Sequence, residues 1–142
     1  MKNINLNSDI GEGFGVYDIG NDTEMLKVVN SANIACGFHA GDPNVMDRVV
    51  KQSIKNGVSI GAHPGFNDLW GFGRRQIHMS TDEIEASVAY QIGALQAISA
   101  TNNAIVTHVK PHGALNNMSS LDPAIATAIA RGVNLVDPKL IL

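Results

Sequence analysis

Cysteine occurs once in this 142-residue chain, as Cys36. No internal disulfide can therefore staple the fold, and the pattern fits a reducing compartment. Aromatic residues contribute only 5% and charged residues 16%. Lys and Arg together number 10 against 13 Asp and Glu, for a net charge of -3, and the cations are scattered rather than striped. That argues against nucleic acid and against an anionic membrane surface as partners. Every apolar run falls far short of the ~20 residues a membrane-spanning helix needs. Residues 1–5 enter a strand-like run with no apolar leader and no cleavage motif. The expectation is a cytoplasmic protein that acts on a small molecule. What is abundant is core-forming material, with 44% hydrophobic residues, enough to fold residues 1–142 as a single β/α domain.

The chain alternates between two periodicities. Strand-like runs cover 4–9, 32–37, 58–62 and 105–109, and helical patterns lie between them. Asp22 is expected to cap a helix that begins at Thr23, with Met25, Leu26, Val28 and Val29 as its apolar face. Asp42-Pro43 opens the next helix, in which Val45, Met46, Val49, Val50 and Ile54 form the buried stripe and Gly57 ends it. Ser80 and Glu83 have the spacing of a capping box, and Ile84, Val88, Ile92, Leu95 and Ile98 follow as a core face. Asp122-Pro123 opens a last helix through about Ala130. Either 133–136 or 140–142 could supply a fifth strand. Strands separated by helices imply parallel pairing through right-handed crossovers. An open doubly wound sheet and a closed barrel both fit. A full barrel needs roughly 250 residues, so this chain reads as an incomplete, N-terminal partial barrel.

The polar residues recur in phase with the strands. Asp9 closes the first strand, and His39, His63 and His112 stand at or just beyond the ends of the next three. Four successive units thus put a titratable group at one rim, the end of a β/α protein where loops and helix N-termini converge on ligands. Glu12 lies in the glycine-rich turn Gly11-Glu12-Gly13-Phe14-Gly15. Asp9, Glu12, His39, His63 and His112 are the expected catalytic set. Lys110, two residues before His112, suits a substrate carboxylate, and the pair Arg74 and Arg75 in the long loop after the third strand suits anion capture. His78 and His108 fall out of phase and read as structural, and Cys36 reads as a small core residue.

With those residues located, the sequence resembles the LamB/YcsF family. The matching segments are Leu6-Asn7-Ser8-Asp9-Ile10-Gly11-Glu12, Ser31-Ala32-Asn33-Ile34-Ala35-Cys36-Gly37-Phe38-His39-Ala40-Gly41-Asp42, Gly61-Ala62-His63-Pro64, Gly71-Phe72-Gly73-Arg74-Arg75, and His108-Val109-Lys110-Pro111-His112-Gly113-Ala114-Leu115. The resemblance implies a seven-stranded β/α barrel similar to polysaccharide deacetylases. It also implies ATP-dependent opening of 5-oxoproline to L-glutamate, carried out with subunits B and C of a 5-oxoprolinase. No phosphate-cradling glycine loop followed by Lys-Ser/Thr occurs, so ATP use is expected to rest on partners or shared sites. Asn7, Lys110, Arg74 and Arg75 are the expected substrate-binding residues. Two other readings remain open. One is a metal-dependent deacetylase or amidohydrolase, with Asp9, His39 and His63 holding a divalent ion. The other is a non-catalytic binding subunit.

Overall fold

Four short strands, β1 (Asn7–Ile10), β2 (Ser31–Ala35), β3 (Ser59–His63) and β4 (Val106–Val109), form one parallel sheet whose spatial order follows chain order. This computed structural model describes residues 4–142; Met1, Lys2 and Asn3, part of the expected N-terminal run, lie outside the described residues. A doubly wound sheet reverses its strand order at a switch point, and no reversal occurs among the described strands. Sequential order is the barrel pattern.

The curvature agrees. In a flat sheet, three interstrand spacings of ~4.8 Å would separate β1 from β4 by roughly 14 Å. Instead the Lys110 ammonium, one residue past β4, reaches both oxygens of Asp9 on β1 at 2.7 and 3.0 Å. The sheet is an arc of a β/α barrel.

Helices α2 (Pro43–Asn56) and α3 (Thr81–Thr101) return the chain between successive strands, and α4 (Gly113–Ser119) and α5 (Pro123–Val136) follow β4. Their ends carry the chemistry that starts and stops helices. Asp42 accepts hydrogen bonds from the Asn44 and Val45 amides, with proline in the first turn. Gly57 closes α2 at φ 66°, a left-handed position that suits glycine. Ser80 and Glu83 form both arms of a capping box on α3, and Asp122 accepts from the Ala124 amide of α5. The core between sheet and helices holds Ile10, Ile34, Val49, Val50, Ile84, Ile92 and Leu95, each almost fully buried. Gly132 lets α5 approach α3 closely, since a Cβ there would stand 2.7 Å from the Glu85 carbonyl.

Several local expectations are corrected. The segment after Asp22 is one short turn of helix, α1 (Asp22–Met25), with Asn21 at its cap position. Asp22 is not the cap: its carboxylate turns inward and accepts from the Gly11 amide at 3.2 Å. Leu26 and Val29 are buried as expected, whereas Met25 and Val28 are exposed, as is Ile54 on α2. Residues 133–136 belong to α5 and form no strand. The alternative, 140–142, does pair: Ile141 bridges His108 in parallel, with Val109 N–H donating to the Ile141 carbonyl at 2.8 Å.

Candidate functional site

The sheet register builds the site from below. Asp9 pairs with Asn33, Asn33 with Gly61, and Gly61 with His108, so these four residues form one row across the four strands. Gly61 contributes no side chain, and the His108 imidazole occupies its space; a Cβ on Gly61 would come within 2.1 Å of that ring. Across the gap His108 Nε2 meets Asn33 Oδ1 at 3.1 Å. The Asn33 amide group in turn donates to Asn7 Oδ1 at 2.8 Å and to Asp9 Oδ1 at 3.0 Å. Burial holds the His108 imidazole below its ordinary pKa.

Just above this row Glu12, His39, His63 and His112 converge beside the Asp9 carboxylate. His63, the last residue of β3, lies with Nε2 3.3 Å from Asp9 Oδ2 and 3.0 Å from His112 Nδ1. Its Nδ1 donates to the Lys110 carbonyl. His39, just past β2, has Nε2 3.0 Å from Glu12 Oε1, and its ring stacks on that of His112 with centroids 3.6 Å apart. His112, at the start of α4, donates from Nε2 to the Phe72 carbonyl at 2.7 Å and lies 3.5 Å from Glu12 Oε1 through Nδ1. All three imidazoles are buried, while Asp9 and Glu12 are partly open to solvent. Asp9, Glu12, His39, His63 and His112 therefore stand at one mouth.

The electrostatics separate these groups. Burial pushes the Asp9 carboxyl up, but hydrogen bonding and charge attraction from His63, with bonds from Lys110 and Asn33, outweigh it and hold Asp9 well below the usual carboxylate range. Burial lowers the pKa of His39 against the raising effect of Glu12. Burial, followed by repulsion from His39, lowers His112 to about 4. At neutral pH the site holds an ionised aspartate and neutral imidazoles at positions 39 and 112.

The remaining candidates sit differently. Lys110 lies at the mouth, bonded to Asp9, and Asn7 lies one layer below, bonded to Asn33. Arg75 is engaged by Asp68, whose carboxyl it pulls down to about 2, so its guanidinium serves the loop. Arg74 stands 5.7 Å over the Phe72 ring. Phe72 itself has φ 54°, a rare conformation for a bulky residue, and the turn aims its carbonyl at His112. An apolar cleft lined by Phe14, Tyr17, Ile19, Leu69, Trp70 and Phe72 leads in to Glu12 and His39.

The four side chains whose donor atoms converge within 4.8 Å, and which could together hold a metal ion, are Glu12, His39, His63 and His112. Relative to the set expected from sequence, Glu12 and His112 take the place of Asp9. Two residues that sequence reasoning misses, Asn33 and His108, orient Asp9. His108 falls inside a strand, out of phase with the rim, yet strand residues facing a barrel interior are also placed to act. The Cys36 thiol is buried and pushed up to about 12, which makes it an inert core residue. Among the described residues no helix is long and apolar enough to cross a membrane.

Residues 4–142 match the family model described as the LamB/YcsF family. The chain is 57% identical over 141 residues to the 5-oxoprolinase A subunit of Natranaerobius thermophilus, covering 99% of this chain and 55% of that protein. It is 58% identical over 142 residues to the protein of the same name from Geobacillus kaustophilus, covering 100% and 55%. The chain spans about half the length of the curated relatives it matches. Among solved structures, the lactam utilization protein from Thermus thermophilus superposes with a TM-score of 0.97 at 45% identity, over 99% of this chain and 58% of that one.

Proposed function

The chain belongs to the LamB/YcsF family, and on that footing we propose that it opens a lactam ring, converting 5-oxoproline to L-glutamate as the A subunit of an ATP-dependent 5-oxoprolinase. The observation that carries this reading is the convergence of Asp9, Glu12, His39, His63 and His112 at one mouth. The names of its relatives, the A subunit of 5-oxoprolinase and a lactam utilization protein, point the same way.

A lactam is a resonance-stabilised amide, so ring opening needs activated water, stabilisation of the developing oxyanion and a proton for the departing nitrogen. Water adds to the ring carbonyl carbon, the carbon–nitrogen bond breaks, and the nitrogen leaves as the amine of glutamate. Asp9 binds a proton too weakly to be a strong base. It serves better as the fixed negative charge that orients His63, which leaves water activation to the imidazoles. His63 or His112 returns a proton to the nitrogen, a contribution typically worth ~10²–10⁴ in rate. Lys110 has a third ammonium hydrogen beyond the two directed at Asp9, and with it would hold the substrate carboxylate. ATP is consumed by the assembled enzyme, with subunits B and C as the partners.

The test combines the full-length protein with its partner subunits, ATP and 5-oxoproline, and follows glutamate release. Release that requires this protein supports the assignment, and equal release in its absence overturns it.

A further inference from the structure

Two imidazoles confront each other in this site through the same kind of atom. His63 Nδ1 is bonded to the Lys110 carbonyl, and His112 Nε2 lies 2.7 Å from the Phe72 carbonyl. A carbonyl oxygen only accepts, so each of these nitrogens carries its hydrogen, and the opposite nitrogen is bare whenever its ring is neutral. The two bare atoms, His63 Nε2 and His112 Nδ1, are 3.0 Å apart. Asp9 Oδ2 lies 3.3 Å from His63 Nε2, and Glu12 Oε1 lies 3.5 Å from His112 Nδ1 and 4.0 Å from His63 Nε2. When both rings are neutral, each of these four atoms presents a lone pair and no hydrogen, in a place where all three imidazoles are buried. Facing lone pairs repel, and a positive charge between them removes the conflict.

We infer that His63 Nε2, His112 Nδ1 and Glu12 Oε1 form a centre for one divalent transition-metal ion of the zinc class, at the same mouth to which ring opening is assigned but detectable apart from turnover. Neutral imidazole nitrogen with carboxylate oxygen is the donor chemistry such ions take. Ligands ~2.0–2.1 Å from a four-coordinate ion stand ~3.3 Å from one another, close to the 3.0 and 3.5 Å that separate His112 Nδ1 from its two neighbours. The carbonyls of Lys110 and Phe72 fix each ring's tautomer and orientation, as outer-sphere partners of metal-binding histidines do. His39 is assigned as a positioning residue rather than a ligand: it bonds Glu12 and stacks flat on His112. Asp9 is already matched by Lys110, which leaves Glu12 as the carboxylate nearer to need. The bound ion would occupy the lone pairs through which His63 and His112 act as bases, and would lower the pKa of a water in their place. The competing arrangement is a single proton shared by the two rings.

Metal-stripped full-length protein titrated with Co²⁺ and read by its visible d–d absorption, and with Zn²⁺ by calorimetry, decides between them. The expected result is saturation at one ion per chain. Glu12→Gln and His112→Gln should each weaken uptake by at least about tenfold, while Lys55→Ala, on the exposed face of α2, leaves it unchanged. Glu12 is partly exposed and its glutamine variant keeps the side-chain shape, so this variant decides the matter if His112→Gln fails to fold. No saturable uptake, or uptake indifferent to Glu12→Gln, overturns the assignment and leaves the shared proton. Uptake is read without turnover, so a protein that binds the ion but releases no glutamate contradicts the proposed reaction and upholds the centre.

Discussion

Asp9 and Lys110, 101 residues apart in sequence, meet at 2.7 and 3.0 Å across the mouth formed by the first and fourth strands. The contact closes the arc, fixes the charge of Asp9 and leaves the ammonium half-exposed beside His63. If Lys110 holds the substrate carboxylate, Lys110→Met should raise KM for 5-oxoproline by at least about tenfold, the loss of one charge-assisted hydrogen bond, with a smaller effect on kcat. Steady-state kinetics of the assembled enzyme check this. An unchanged KM removes Lys110 from substrate binding.

Gly61 and Gly93 make a contrasting pair. A Cβ on Gly61 collides with the His108 ring, whereas a Cβ on Gly93, in the middle of α3, meets nothing within 4 Å. Gly61→Ala should destabilise by about 1–3 kcal/mol, the usual cost of overpacking. Gly93→Ala should stabilise by about 0.5–1 kcal/mol through helix propensity. Urea midpoints of the two variants, compared with the parent, give both signs.

Cys36 is buried, with its Sγ 3.3 Å from the Ile34 carbonyl, and burial pushes its pKa up to about 12. At pH 8 it carries on the order of a thousandfold less thiolate than a free cysteine. A thiol reagent should leave the native protein almost unlabelled and react promptly in denaturant. Fast labelling of the folded protein contradicts the core assignment.

Asp22 is nearly fully buried, and burial raises its carboxyl pKa above the ordinary 3.8, partly offset by the Gly11 amide. A carboxyl with a raised folded pKa binds its proton more tightly folded than unfolded. Its contribution to stability is therefore greatest below pH 3.8 and declines as pH rises through the folded value. Asp22→Asn keeps an oxygen for the Gly11 amide and removes the charge. The variant should gain stability over the parent at pH 7, and the gain should vanish near pH 3. Denaturant titrations at the two pH values test the sign.

Much of this architecture is legible in the residues. The caps at Asp42, Ser80 and Asp122 and the stop at Gly57 act locally, so their chemistry can be read without the fold. The rim histidines are visible because strand ends and polar residues recur in phase. What is not legible depends on contacts between distant segments. The row of Asp9, Asn33, Gly61 and His108 exists only once the register of four strands is set, and no single strand encodes it. Asp22 looks like a helix cap until Gly11 is brought beside it. Helix α4 begins at Gly113 behind Pro111, a pair that signals a loop, and its start is fixed by packing: the Ala114 amide donates to the Gly73 carbonyl at 2.9 Å. Arg75 resembles an anion ligand because its partner Asp68 sits seven residues away across a loop turn.

The central claim is that the groups gathered at this mouth open the ring. Asp9→Asn preserves the side-chain shape and removes the charge that faces His63 and Lys110. In the full-length enzyme, assembled with its partners and supplied with ATP and 5-oxoproline, kcat for glutamate release should fall by roughly 10²-fold or more, with the complex still forming. Parental kcat in that variant would contradict the claim.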